Sequence, residues 1–250
     1  MKKLFSFLTI LFLVPQVCFG AASSSFDNSS SSVNMGNVLD VSTGDISGCG
    51  WLKQTEDAST DMLLSKKNVF GIAAGSGPGY TLKTNSSNDL LRPQVGDNTT
   101  GLNAGDGTSA DPDGAWYYSC FRWDATGDTS NVMYAYQNGA QVNSETGTAI
   151  GTLSNAVSFY IGRDASGSAA AWTNGVQANA IVWLQLISVI NLIESMWLPE
   201  RAGITPDGLW MLWGDTTVID LSPNNYDGTP ANLTNSSDGP PIGFGGFLPL

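Results

Sequence analysis

The sequence predicts an all-β protein in which two antiparallel sheets pack into a sandwich, with one short helix near residues 188–197. Short apolar stretches alternate with clusters of Gly, Asn, Asp and Ser at spacings typical of such sandwiches, and helical periodicity is scarce. Residues 116–124 begin with Trp, continue with alternating apolar positions and close on Asp, which predicts one strand. Residues 136–139 end in Asn-Gly, the strongest short signal for a β-hairpin.

The first twenty residues have the pattern of a secretory signal peptide. Two lysines precede a short apolar run, and small residues, Gly20 and Ala21, flank the predicted cleavage point. A lipoprotein cleavage before Cys18 is the alternative, but a bulky valine stands where that cleavage needs a small residue. We therefore expect a secreted, extracellular protein, with the periplasm as the other compartment open to it.

The charge balance excludes some classes of partner. Removing residues 1–20 takes two lysines from the ten basic residues and leaves all 22 acidic ones, so the net charge becomes −14. Such a surface repels phosphate backbones and anionic lipid headgroups. We expect no nucleic-acid partner.

Only two cysteines follow the predicted signal peptide, Cys49 and Cys120, and both lie in predicted strands. An oxidising compartment permits a disulfide between them. The alternative is a pair of buried thiols that never meet, because a disulfide needs its two Cα atoms within about 7 Å.

The remaining elements follow along the chain. Residues 23–36 predict a strand, a turn and a second strand, and further strands are expected at Ile46–Lys53, Met62–Lys66 and Tyr80–Lys83. Residues 93–115 are rich in Asp, Asn, Gly and Thr without apolar alternation, which predicts a long surface loop. Loops of that length are usually either functional or disordered.

Residues 180–198 approach the length of a transmembrane helix, but three polar side chains interrupt them and no basic residues flank them. We instead expect a buried strand to about Leu186, followed by a short helix with Ser188 as its N-cap. The mature chain then has no membrane span. The helix residues expected to face the sandwich are Ile190, Ile193 and Trp197.

Seven blocks of the sequence, in order, resemble the laminin G-like family. They run through residues 25 to 200, and the resemblance implies a concanavalin A-like jelly roll that acts as a binding module. Histidines commonly follow the Trp of the fourth block, whereas Tyr117 and Tyr118 stand here and the chain has no His. The blocks are Ser25–Gly36, Ile46–Lys53, Leu64–Lys66, Trp116–Asp124, Tyr136–Gly139, Ser158–Arg163 and Trp172–Gly175.

The C-terminal part resembles the segment that usually precedes the first block of this family, yet here it follows all the others. The resemblance predicts a permuted order, with Leu209–Trp213 paired beside the N-terminal strand near Phe26. The alternative is that residues 209–250 begin a second, incomplete module. The expected organisation is a signal peptide at 1–20, a laminin G-like domain at 21–215, and a strand and Pro/Gly-tail segment at 216–250.

Catalysis is not expected. Hydrolases that share this sandwich need two carboxylates flanking a glycosidic bond, and none of the four Glu residues forms such a pair. Without His, the Ser–His–Asp and Cys–His arrangements are excluded, as are metal sites built on His.

Calcium is the ion that the composition allows, because it binds carboxylate, amide and carbonyl oxygens. Asp124 and Asp128 bracket one turn, and Asp164 follows another block. Calcium-binding relatives in the resembled family place Asp ligands on rim loops. The alternative is that these residues cap turns, as Asp often does. No other cofactor is expected.

Aromatic side chains suggest the ligand class, because sugars stack on Trp and Tyr rings while polar neighbours bind their hydroxyls. The eight tryptophans exceed what a sandwich core needs. Trp51, Trp183 and Trp197 are expected in the core. The residues predicted to line a ligand-binding face are Tyr117, Tyr118, Trp123 and Trp172.

The sequence thus predicts a secreted, non-catalytic recognition or adhesion module whose partner is a glycan or an extracellular protein. Carbohydrate is the ligand class expected first, with calcium as an assisting ion. One alternative is a structural protein of an extracellular or particle surface that contacts other proteins. Another is an atypical glycosidase.

Overall fold

The structure is a computed structural model that describes residues 23–55, 60–67, 74–85, 90–105, 114–125, 130–166, 172–197, 203–212 and 217–240. These residues form fifteen strands in two antiparallel sheets and one helix. The predicted two-sheet jelly-roll sandwich is confirmed. Gly20, Ala21 and Asp128 lie outside the described residues.

The first sheet, sheet A, has the strand order β10-β9-β8-β3-β12-β1-β15, and β13 also pairs with β12. Its strands are β1 (Ser23–Asp27), β3 (Ile46–Gln54), β8 (Tyr117–Asp124), β9 (Ser130–Gln137), β10 (Ala140–Thr148), β12 (Asn174–Trp183), β13 (Gly208–Met211) and β15 (Thr234–Ser236).

The second sheet, sheet B, has the order β14-β2-β11-β4-β5-β6-β7. Its strands are β2 (Ser32–Asn34), β4 (Met62–Lys67), β5 (Gly79–Lys83), β6 (Gln94–Gly96), β7 (Gly101–Asn103), β11 (Tyr160–Ile161) and β14 (Thr229–Ala231). The helix α1 is Val189–Trp197.

The β9–β10 hairpin turns at Asn138-Gly139, as the sequence predicts. Both residues have positive φ, 50° and 82°, which the tightest hairpin turn requires and which Asn and Gly adopt most readily. Ala140 therefore pairs directly with Gln137.

The main core lies between the two sheets and is rich in aromatic rings. The Phe159 and Trp210 rings stack with their centroids 5.3 Å apart, and Tyr80 donates a hydrogen bond from its hydroxyl to the carbonyl of Leu39 at 3.1 Å. Each such buried side chain contributes about 1.5–3 kcal/mol through removal of apolar surface from water.

A second apolar cluster covers the other face of sheet A, where α1 packs. Trp51 donates from Nε1 to the carbonyl of Met196 at 3.2 Å, and the Tyr118 hydroxyl lies 2.9 Å from Ser195 Oγ. Ser188 Oγ accepts a hydrogen bond from the Asn191 N–H at 3.1 Å, which confirms the predicted N-cap. Both faces of sheet A are therefore buried beneath other parts of the chain.

The predicted orientation of α1 is wrong. Ile190, Ile193 and Trp197 are 68%, 38% and 51% exposed, whereas Leu192 and Met196 face the sheet. The helix is apolar on two sides, so its periodicity alone does not select the buried one. No helix in the described ranges is long and apolar enough to cross a membrane.

Cys49 and Cys120 face each other in register on β3 and β8, with their Cα atoms 4.1 Å apart, and a disulfide joins them. The bridge links two adjacent strands in the centre of sheet A, 71 residues apart in sequence.

The C-terminal strand β13 continues β1 end to end. Residues 174–177 of β12 pair with β1, and residues 179–182 pair with β13 on the same edge. The Leu212 N–H donates to the carbonyl of Ala178, and Ser24 Oγ donates to the carbonyl of Leu212, both at 2.9 Å. The prediction that this segment pairs with the N-terminal strand is therefore wrong. β1 and β13 do not pair with each other, and each pairs with β12 instead. Further along, β14 joins sheet B and β15 joins sheet A.

The predicted loop at 93–115 is wrong where the structure describes it, because β6 and β7 form an edge hairpin of sheet B there. Each strand has three residues and one core side chain, Val95 or Leu102, so no alternation is visible in the sequence. Residues 106–113 lie outside the described part of the chain.

Candidate functional site

Polar side chains form a continuous row across the face of sheet B that points away from the core, which we call the outer face. Side chains of residues that pair across neighbouring strands lie on the same face of a sheet. The registers place six polar residues in one line, and we call them the polar row. In order across the sheet they are Asn34, Tyr160, Ser65, Thr81, Gln94 and Asn103.

The alternate positions of the same strands face the core, which fixes the direction of the polar row. Val33, Ile161, Leu64, Val95 and Leu102 all belong to the main core cluster. Because successive residues of a strand point to opposite faces, their polar neighbours must lie on the outer face.

Three atoms in the middle of the polar row are buried without a hydrogen-bond partner. Ser65 and Thr81 are fully buried and Gln94 is 3% exposed. Ser65 Oγ, Thr81 Oγ1 and Gln94 Oε1 have no partner in the structure as described. An unsatisfied buried polar group costs about 1–3 kcal/mol. Among the described residues these three atoms are left unpaired, and their burial also closes them to a ligand, so a ligand must bind at a more open part of the row.

The polar row is more open at its β2–β11 end. Asn34 and Tyr160 are half-buried, and Asn34 donates from Nδ2 to the Tyr160 hydroxyl at 3.3 Å. The backbone N–H of Gly36 donates to Asn34 Oδ1 at 2.8 Å, which holds the amide in place. This end joins an aromatic ring to an oriented amide.

Arg163 stands beside that open end. Gly162 has a φ of 84°, which breaks the strand alternation after β11 and brings Arg163 next to Tyr160. The guanidinium carbon lies 4.4 Å from the Tyr160 ring centroid and 4.9 Å from that of Trp172. Such contacts between a cation and aromatic faces hold a side chain in a defined orientation.

Lys67 lies on the same outer face as Ser65, two residues away on β4. It pairs with Gly79, and the neighbouring positions on β6 and β7 are Gly96 and Gly101, so no side chain blocks its path across the sheet. Its Nζ donates to the carbonyl of Gly77. Burial lowers the pKa of Lys67 to about 8, and the charge of Asp97 acts in the opposite direction.

The assignment of Tyr117, Tyr118 and Trp123 to a ligand-binding face is wrong, because all three are fully buried. Tyr117 and Trp123 point into the main core, and Tyr118 lies under α1. Burial raises the pKa of Tyr118 well above its ordinary value, although its bond to Ser195 lowers it. Tyr117 donates its hydroxyl proton to Gln54 Oε1 at 2.6 Å.

Trp172 is also buried, at 7% exposure, so its ring is not a free stacking surface. Unlike the other three, it contributes to the candidate site because it packs against Arg163. Tyr160 and Arg163 lie in one of the family-like blocks of the sequence, but the only site residue predicted there was Asp164, as a calcium ligand. The signal available in the sequence was an Arg, Arg163, with an aromatic residue on each side of it, Tyr160 and Trp172.

The proposed calcium ligands are not brought together where the structure describes them. Asp124 ends β8 in sheet A, whereas Asp164 follows β11 in sheet B and both its carboxylate oxygens accept a hydrogen bond from Ser166 Oγ at 2.9 Å. Within the described residues no group of three His, Cys, Asp or Glu side chains could hold a metal ion. Asp128 lies outside those residues, so the calcium assignment stays a prediction that a thermal melt with and without calcium would test.

Other aspartates cap turns, as the alternative interpretation expects. Asp220 is buried and accepts the backbone N–H groups of Leu209, Ser222 and Tyr226 at 2.8–2.9 Å. Asp97 accepts the backbone N–H groups of Thr99 and Thr100 at 2.6 Å. These carboxylates stabilise the loops between strands.

A family model described as the concanavalin A-like lectin/glucanases superfamily matches residues 27–185, more than half of the chain. Among curated proteins, no sequence matches the chain.

Solved structures show the same fold. One is a "putative carbohydrate binding protein" from Bacteroides ovatus, with a TM-score of 0.65 and 14% identity over 89% of this chain. The match spans 61% of that protein's own length. Another is a heptameric SAP-like pentraxin from Limulus polyphemus, with a TM-score of 0.51, 15% identity, and coverage of 70% of this chain and 82% of the pentraxin.

Proposed function

We propose that this chain, which belongs to the concanavalin A-like lectin/glucanase superfamily, is a secreted carbohydrate-binding module without catalytic activity of its own. Its ligand site is the outer face of sheet B. The observation that carries the proposal is the open end of the polar row, where the half-buried Asn34, Tyr160 and Arg163 bring an oriented amide, an aromatic ring and a guanidinium side by side. The description of the Bacteroides protein as carbohydrate-binding supports the same ligand class.

The polar row matches the chemistry of a sugar. A pyranose ring presents hydroxyl groups that both donate and accept hydrogen bonds, and apolar C–H faces that pack on aromatic rings. At the open end of the row Asn34 supplies an amide group on β2 and Tyr160 supplies a ring on the neighbouring strand β11. Neighbouring strands are about 4.8 Å apart, so this line offers a polar group at roughly the spacing of one monosaccharide ring.

Binding is tested with the purified chain on a glycan array, followed by titration calorimetry with the oligosaccharides that bind. Tyr160→Ala and Asn34→Ala are each expected to weaken binding about tenfold or more, since they remove ring contact or an amide partner. Tyr134→Ala, at a half-buried tyrosine of sheet A, is the matched control and should leave affinity unchanged. Absence of binding to every glycan would refute the proposal.

Secretion is a separate part of the proposal and has its own test. N-terminal sequencing of protein recovered from the culture medium or periplasm should begin at Ala21. A mature chain that begins with a lipidated Cys18 would contradict the proposed cleavage.

A structural role at an extracellular surface is the second candidate, and one observation favours it. Helix α1 exposes Ile190, Ile193 and Trp197 to solvent, and exposed apolar groups of this kind mark contacts with other proteins. Sedimentation analysis at increasing concentration distinguishes the two. Self-association that Trp197→Gln abolishes, together with no glycan binding, would favour the structural role.

A further inference from the structure

We propose that the saccharide bound on the outer face of sheet B is acidic, and that the Arg163 guanidinium receives its carboxylate or sulfate group. The inference rests on the proposed function and narrows its ligand class. Three properties of the described residues lead to it: the distribution of charge between the sheets, the orientation of Arg163, and its lack of an acidic partner.

Charge is distributed unevenly between the two sheets. The chain has 22 acidic residues, yet none lies within the seven strands of sheet B, which contain Lys66, Lys67 and Lys83. The strands of sheet A carry three acids, Asp27, Asp124 and Glu145. Lys66 is neutralised by Asp40 at 3.3 Å. Counted over strand residues, sheet B is therefore the more positive of the two sheets, which favours an anion there in an otherwise acidic protein.

Arg163 has the geometry of an anion receptor. Its Nε donates to the backbone carbonyl of Asp164 at 2.9 Å, and its planar group lies against the Tyr160 and Trp172 rings. These contacts fix the guanidinium plane and leave the two terminal amino groups to form a bidentate pair. Arg binds carboxylate and sulfate-like groups with such parallel hydrogen bonds.

No carboxylate neutralises Arg163 in the described structure. The ion pairs found there join Lys53 to Asp238 and Lys66 to Asp40. Arg163 is half-buried, so its charge is partly withdrawn from water, and no acidic side chain among the described residues pairs with it. An acidic sugar that stacks on Tyr160 would bring its anionic group to this position.

Arg122 provides a matched control on the opposite side of the sandwich. It is also half-buried and lies 5.5 Å and 5.9 Å from the ring centroids of Tyr134 and Tyr136. It differs because one terminal amino group already donates to the Tyr136 hydroxyl at 2.9 Å, and because it lies on sheet A, outside the polar row.

The experiment measures binding of the full chain to matched pairs of saccharides that differ only in charge. The carboxylate pair is oligogalacturonate and its methyl ester, and the sulfate pair is a sulfated galactan oligomer and its desulfated form. The acidic member of at least one pair should bind about 10- to 100-fold tighter. The pair that shows this difference identifies the anionic group.

Variants then assign the effect to a residue. Arg163→Gln should remove the preference for the acidic member while changing affinity for the neutral member less than threefold. Arg163→Lys should restore part of the preference, since charge returns without the bidentate geometry. Arg122→Gln should leave both affinities unchanged. Each variant must show the thermal midpoint of the parent within a few degrees, which separates a binding effect from loss of fold.

The outcomes distinguish this inference from the proposed function. Equal binding of neutral and acidic members would overturn the acidic ligand and leave carbohydrate binding intact. A preference for the acidic member that survives Arg163→Gln would overturn the role of Arg163. If no member of the pairs binds and the wider array is also negative, both proposals fail.

Discussion

Thr81→Val tests whether the polar row contains a buried hydroxyl that the fold leaves unsatisfied. Thr81 is fully buried, and its Oγ1 has no partner in the structure as described. Valine has nearly the same shape, so the substitution removes an unsatisfied hydroxyl without opening a cavity. Since such a group costs about 1–3 kcal/mol, the free energy of unfolding should rise by about that amount. The thermal midpoint of a chain of this size would then rise by about 2–12 °C.

Thr173→Val is the matched control, because Thr173 is equally buried but its hydroxyl is used. Its Oγ1 donates to the carbonyl of Met62 at 2.6 Å and accepts from Gln177 Nε2 at 3.0 Å. Removing this hydroxyl breaks two buried hydrogen bonds and leaves only the 3.2 Å bond from Gln177 Nε2 to the Met62 carbonyl, so the free energy of unfolding should fall by about 1–3 kcal/mol.

The assay is urea unfolding followed by tryptophan fluorescence without ligand, combined with calorimetric titration of the oligosaccharide that binds best. Thr81→Val should be more stable than the parent and bind that oligosaccharide with unchanged affinity, because the fully buried Oγ1 cannot reach the ligand. A destabilisation by Thr81→Val as large as that of Thr173→Val would show that its hydroxyl has a protein partner. That result would refute the reasoning for the polar row.

Three further predictions concern the scaffold. Replacing Cys49 and Cys120 together with Ala should lower the free energy of unfolding by about 2–4 kcal/mol, measured in urea without reductant; an unchanged urea midpoint would contradict a bridge in the native protein. Met196→Ala should destabilise by about 2–5 kcal/mol because Met196 lies on the face of α1 that packs against sheet A, whereas Trp197→Gln should change stability by less than about 0.5 kcal/mol. Equal effects would mean that α1 packs on the sheet through a different face. Partial burial raises the pKa of Asp27, but bonds from the three following serines outweigh it, so the folded pKa lies below the ordinary value of about 3.9. A depressed carboxyl pKa stabilises above the unfolded pKa, so the urea midpoint should fall as pH decreases below about 4. Asp27→Asn should flatten that decrease, and an equally steep decrease in the variant would exclude this contribution.

The sequence predicts the strands well where the signal is local. Asn138-Gly139 fixes one hairpin through its own backbone preference, and Ser188 caps α1 through one hydrogen bond. Burial is harder to predict, as Tyr117 and Tyr118 show. They are consecutive and point to opposite faces, so one would be exposed in a sandwich with a bare outer face. Because α1 covers that face of sheet A, both are buried.

The candidate site could not be read from the sequence, because it depends on register across many strands. Asn34, Tyr160 and Ser65 are neighbours in the polar row although more than ninety residues separate Tyr160 from Ser65. Within their own strands these residues look like ordinary polar positions. Only the pairing of six strands shows that they form one line, and only the packed structure shows that three of their polar atoms have no hydrogen-bond partner among the residues it describes.

The most direct test of the central claim is hydrogen–deuterium exchange of the full chain with and without the oligosaccharide that binds best. We predict ligand protection in peptides that cover Ser32–Asn34, Met62–Lys67, Gly79–Lys83 and Tyr160–Ile161, together with Arg163. Peptides from Val189–Trp197 should exchange at the same rate in both states. Protection confined to that helix or to sheet A, with none on sheet B, would contradict the claim that the outer face of sheet B binds the sugar.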